Sequence, residues 1–147
     1  MKKQTVWNLL TMGLPLAVVA IAIRPGSVTV IRGMDAPVHT SFANAVSGSP
    51  VGWCPPVALL LTYAMFGMAV LFAVTKKPLW MKLIRGASFV ATCLTACPIM
   101  IPSQVRVIPN VFAAILLLVL WGVAYYIVSN QEKQKEEATQ GRRLPGR

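Results

Sequence analysis

A chain of 147 residues that is 56% hydrophobic and only 12% charged, with a mean hydropathy of +0.64, carries about half the charge of an ordinary soluble domain. Its net charge of +10 would suggest nucleic acid in a water-soluble protein. Here the cations gather at the ends of apolar runs and are not interleaved with aromatics, which excludes a nucleic-acid surface and points to the bilayer as solvent.

Met1-Lys2-Lys3 opens the chain with positive charge, and an apolar run follows over 6–23. It is close to the roughly 20 residues that cross about 30 Å of hydrocarbon. Pro15 lies within it and removes one backbone donor, which spanning helices tolerate when a neighbour or hydroxyl satisfies the freed carbonyl. The competing reading is a cleavable signal peptide, with Ala20-Ile21-Ala22 as an A-x-A site. Both readings leave the next segment, 24–54, outside. Ser27 to Arg32 is β-branched and is expected to form a short strand, with Gly33, Pro37, Gly48, Pro50 and Gly52 marking turns. Phe42 and Val46 are expected on the membrane surface in a partial helix. Thirty-one residues are too few for an independent core, so this loop is expected to cap the outer ends of the helices.

Pro55-Pro56 opens a second apolar run, 55–75, where a helix loses nothing by lacking N–H donors. Trp53 suits the outer aromatic belt. Ala69 and Ala73, with Gly67, offer points of close approach. The basic turn 76–82, built on Lys76-Lys77-Pro78 with Trp80 and Lys82, is the strongest topology signal, because short loops rich in Lys and Arg stay cytoplasmic. Pro78 is expected to break the helix there. The third run, 83–101, carries Ser88, Thr92 and Thr95 on one helical face, with Ala96 continuing the small side. It is the most polar run and is expected at the packing centre. A short outer connection between Pro102 and Pro109 leads to the fourth run, 110–128, the most uniformly apolar. A charged tail, 129–147, follows; Glu132 to Glu137 is expected to prolong the helix and the basic end from Gly141 to be partly disordered.

The fold expected is an all-α membrane protein: four transmembrane helices in an antiparallel bundle, with a short outer loop that accommodates a strand. With both termini cytoplasmic, Lys2, Lys3, Lys76, Lys77, Lys82, Arg85, Lys133, Lys135, Arg142, Arg143 and Arg147 lie inside, and Arg24, Arg32 and Arg106 outside. Eleven to three is the asymmetry that the positive-inside rule requires.

Candidate chemistry is sparse. The acids are Asp35, Glu132, Glu136 and Glu137, and the single histidine is His39; none falls in a span. Carriers driven by protons or sodium usually keep an intramembrane carboxylate or histidine, and a small multidrug-type exporter needs one in its first span. Asp35, His39 and Ser41 are close in sequence on a turn-rich loop, which is not how triads are built. No P-loop, G-x-G-x-x-G, G-x-S-x-G or H-E-x-x-H is present, so no enzyme and no cofactor are expected.

The three cysteines remain. Cys93 and Cys97 are four apart and share a helical face. Cys54 starts the second span at the depth where Cys97 ends the third. A Cys54–Cys97 disulfide requires Cα atoms within about 7 Å and suits the outer, oxidising side. There is no C-x-x-C for a quinone-linked thiol enzyme. Cys54, Cys93, Cys97 and His39 together form a candidate soft-metal set, against the plain alternative that cysteine is a small apolar packing residue.

Arg24-Pro25-Gly26-Ser27-Val28, Thr40-Ser41-Phe42 and Gly52-Trp53-Cys54-Pro55-Pro56 resemble, over about residues 5–128, a loose group of small four-span proteins of bacterial genomes. That resemblance implies a bacterial plasma-membrane setting and carries no activity to any residue. The expected function is a non-catalytic accessory or structural membrane component that pairs with itself or a larger complex. The alternatives are a transport or pore-forming component lined by Ser88, Thr92 and Thr95, and a thiol-dependent redox or metal-handling protein.

Overall fold

The computed structural model describes residues 2–30, 38–45, 50–100 and 108–142. Four helices dominate: α1 (Lys2–Ala22), α2 (Cys54–Thr75), α3 (Pro78–Met100) and α4 (Ile108–Arg142). At 1.5 Å per residue, α1 to α3 are each about 32–35 Å long, and α4 about 52 Å. Three stretches are long and apolar enough to cross a membrane: Thr5–Ala22, Cys54–Thr75 and a window within Pro109–Thr139. The chain therefore has the make-up of a multi-pass membrane protein. α3 matches the others in length with 23 residues, but Lys82, Arg85 and its hydroxylated side chains dilute its apolar content.

The helices form a ring in which α1 packs on α2 and α4, and α3 packs on α2 and α4. Two bonds at opposite ends set the direction of the α3–α4 pair. Lys82 meets Glu132 at 2.7 Å, and the Asn110 amide donates to the Thr95 carbonyl at 3.2 Å, so the numbering runs oppositely on the two helices. The Trp7 and Tyr126 rings, 5.2 Å apart, bring the start of α1 to the same end as Glu132. The bundle is antiparallel. Inside it, Met65, Met81, Ile84, Leu117 and Leu120 are fully buried. α3 makes the most extensive pairings of the four, which agrees with its expected role, although in a ring it has two neighbours and no central position.

Pro15 is buried within an unbroken α1. Thr11 one turn earlier turns its hydroxyl back to the Trp7 and Asn8 carbonyls at 3.0 Å each. Val18 and Ala22 at the far end of α1 are buried in the common core, so removal of α1 as a signal peptide would open that core.

The basic turn differs from expectation in one respect. Pro78 does not break a helix; it is the first residue of α3, where its missing N–H costs nothing. The break lies at Lys76, which takes the left-handed conformation (φ 53°) and donates its N–H to the Phe72 carbonyl at 2.8 Å. Lys82 and Arg85 are consequently helical.

The loop between α1 and α2, expected to be the outer one, holds two strands where one was expected. β1 (Val28–Val30) pairs antiparallel with β2 (Val38–Thr40), with Thr29 opposite His39. β1 is the inner strand: Ser27, Val28 and Thr29 are buried, and Ser27 donates its hydroxyl to the Ala22 carbonyl at 3.0 Å. Gly26, with φ 85°, makes the turn from α1 into β1. A single 3₁₀ turn, Phe42–Asn44, follows β2 and packs on α2. Phe42 is only 1% exposed; it plugs the end of the bundle instead of lying on the membrane surface. A second 3₁₀ turn, Pro50–Trp53, leads into α2. The loop caps the helices as expected, while Asp35 and Val46 lie outside the described residues.

The tail is helical to Arg142, further than the expected extension over Glu132 to Glu137; the basic end from Arg143 lies outside the described residues. Gly67 was expected as a point of close approach, but it faces outward and a methyl group there would meet nothing within 4 Å. Ala69, by contrast, is buried.

Candidate functional site

The polar face of α3 is real, and it is turned inward. Ser88 and Thr95 are fully buried, with Ala91 between them; Thr92 and Ala96 are half-buried at its edge. Each hydroxyl is satisfied by its own helix. Ser88 donates to the Arg85 carbonyl at 3.1 Å, Thr92 to Ser88 at 2.8 Å, and Thr95 to Ala91 at 2.7 Å. Such back-bonding leaves little polar capacity for a solute. What these residues supply is closeness: Ala113 and Ala124 on α4 are buried as well, and small residues let helix backbones approach in lipid. Ala91, the smallest of the buried α3 residues, has no polar group to mark it in the sequence.

At the end of the bundle that carries the hairpin, Cys54 at the start of α2 and Cys97 near the end of α3 lie close together. The two thiols are near enough to influence each other, although 43 residues separate them. Both are half-buried, and all three cysteines are free thiols. Cys93, one turn before Cys97 on α3, is exposed. His39 is occupied elsewhere: its Nδ1 is 3.0 Å from the Thr29 hydroxyl across the hairpin. The four candidate metal ligands are therefore not brought together. Among the described residues no group of three or more His, Cys, Asp or Glu side chains is placed to hold a metal ion.

At the opposite end two features escaped the sequence. Glu132 pairs with Lys82 on α3, with both side chains about half exposed. The hydrogen bond from Lys82 and then its charge hold the Glu132 carboxyl below the usual range. Arg85 lies 5.8 Å from the Tyr125 ring centre, beside a run of rings formed by Tyr125, Trp121 and Phe89. That arrangement gives the guanidinium a π-face. Neither partner could be read from local spacing, because both depend on where α4 passes α3.

Trp7 and Tyr126 also wall a groove of about 310 Å³ between α1, α2 and α4, shared with Asn8, Phe72 and Gln131. The Asn8 and Gln131 side-chain oxygens are buried and accept no hydrogen bond. Comparison of the chain with family models, curated proteins and solved structures finds no match.

Proposed function

We propose that the protein is a non-catalytic accessory component of a bacterial plasma membrane, crossing it four times with both termini cytoplasmic and associating with a second helix bundle, its own copy in the first instance. The observation that carries this reading is on α1, the most lightly packed of the four helices. It turns Gly13, Ala17 and Ala20 outward, and Gly13 has nothing near it. In lipid, large apolar side chains cost nothing on an outward face, whereas Gly-x-x-x-Ala allows another backbone close approach. The eleven-to-three charge asymmetry supports the topology. α3 crosses in this account as the helix most shielded by its neighbours, with its hydroxyls bonded to its own backbone as lipid requires.

Tagged and untagged copies purified together in mild detergent test it. Co-purification is expected, and Ala17→Leu should abolish most of it without loss of folded protein. Leu60→Ala, on an exposed position of α2, should leave it intact. A monomer with no co-purifying partner, unaltered by Ala17→Leu, would contradict the reading.

The closeness of Cys54 to Cys97 favours a second reading, a thiol-dependent protein. A small disulfide would oxidise the pair: the two thiols give up their protons, a sulfur–sulfur bond forms, and the oxidant leaves as two thiols. Mild disulfide treatment of the purified protein is expected to join Cys54 to Cys97 with no reagent retained, while the exposed Cys93 keeps half of the reagent as a mixed disulfide. Equal reaction at all three positions would exclude the pair.

A further inference from the structure

The groove between α1, α2 and α4 has an unusual lining. Two amide oxygens, Asn8 Oδ1 and Gln131 Oε1, are withdrawn from solvent without a donor. A buried acceptor left unpaired costs about 1–3 kcal/mol, and one groove has two. Beside them stand the Trp7 and Tyr126 rings and the apolar side of Phe72. The volume, about 310 Å³, is at the low end for small-ligand clefts, about 300–1,000 Å³. A second groove of about 300 Å³ adjoins it through Gln131 and is lined by Lys76 and Lys135. Neither lysine belongs to the ion pair formed among the described residues. So acceptors and aromatic faces lie on one side of Gln131, and two ammonium groups on the other.

We propose that this double groove binds the headgroup of an aminophospholipid, of the phosphatidylethanolamine type. The lipid's ammonium group has three N–H donors; Asn8 and Gln131 turn their unpaired oxygens into the groove to accept two of them, and the Trp7 and Tyr126 faces attract its charge. The phosphate lies toward Lys76 and Lys135, which act as point charges. Phe72 then faces the start of the acyl chains. The site is at the end of the bundle that carries Lys76, Lys77 and Lys82, where spanning helices meet the lipid–water boundary. A choline headgroup has the charge but no donors, and a glycerol headgroup has donors but no positive charge, so each tests one half of the recognition. The proposal rests on the membrane setting of the bundle and is independent of any pairing through α1.

Native mass spectrometry of the full-length protein in mild detergent, titrated with short-chain lipids, reads the preference directly. The first phosphatidylethanolamine molecule is expected to bind about tenfold more tightly than phosphatidylcholine, a factor that one charged hydrogen bond supplies. Gln131→Leu should bring the two within about twofold of each other, while Gln131→Glu keeps an acceptor and should preserve the preference. Gln131 is half-exposed, beyond the apolar part of α4, so both variants fold; circular dichroism checks this. Soluble glycerophosphoethanolamine should compete weakly, because it lacks the chains that lie along the apolar wall. Equal binding of the ethanolamine and choline lipids would overturn the proposal. So would tightest binding of phosphatidylglycerol, which would mean that the lysines alone act, or full displacement by the soluble compound, which would make the ligand a metabolite. A monomeric protein that still prefers phosphatidylethanolamine would leave this inference standing and remove only the pairing through α1.

Discussion

Ala91→Leu is expected to lower the stability of the bundle by about 1–3 kcal/mol, the usual cost of forcing extra methylenes into a packed interior. Ala91 is fully buried on α3 between Ser88 and Thr95, and α4, which packs on α3, buries Ala113, Leu117, Leu120 and Ala124. Because lipid chains are as apolar as leucine, no hydrophobic gain offsets the clash. The position next in sequence is the control. Val90 is 48% exposed, so Val90→Leu should be nearly neutral. Thr92→Leu should fall between them, since Thr92 sits at the edge of the face and loses only a bond to its own helix. Thermal unfolding in detergent, followed by circular dichroism, gives the three values. Equal losses at 90 and 91 would mean that the α3–α4 seam is not closely packed.

The second large effect is expected at Asn110. It is 4% exposed, donates its amide to the Thr95 carbonyl and leaves its own oxygen unpaired. Asn110→Asp keeps the shape but turns the donor into a second acceptor facing a carbonyl. An uncompensated charge at a buried position costs about 3–5 kcal/mol, more than the roughly 0.6 kcal/mol of an average interhelical hydrogen bond in a membrane. The yield of folded Asn110→Asp protein should therefore collapse at neutral pH. It should recover on acidification, because a protonated carboxyl restores an O–H donor toward Thr95. Asn110→Leu removes both the donor and the unpaired oxygen and should be far milder. Similar yields for the Asp and Leu variants would show that the carbonyl contact is not formed.

The difference between the two sites shows what could be read in advance. Helix positions followed from apolar runs ended by charges and prolines, and the polar face at Ser88, Thr92 and Thr95 followed from helical periodicity. A short turn makes α2 and α3 neighbours and sets Cys54 near Cys97, but both are free thiols. Gly67 was misjudged because small residues pack inward or offer an outward notch, and spacing along one helix does not say which. Pro78 was misjudged because proline both ends and begins helices; the left-handed Lys76 carries the turn, and lysine is not a residue that announces such a conformation. Phe42 looked amphipathic in a loop, yet the open end of a four-helix ring needs a plug. Glu132, Arg85 and the Asn8–Gln131 groove depend on helices far apart in sequence, where no local pattern reaches.

The central claim is that four helices cross the bilayer with the basic turn and the tail on one side and the hairpin on the other. Single cysteines introduced at Lys77, Lys135 and Thr40, in a background with Cys54, Cys93 and Cys97 replaced by alanine, test it in intact cells with an impermeant thiol reagent. Cysteine at position 40 should react, and cysteines at 77 and 135 should react only after the membrane is opened; losing one cation of eleven will not invert the chain. Labelling of position 77 from outside, or labelling of 77 and 135 from opposite sides, would contradict the account.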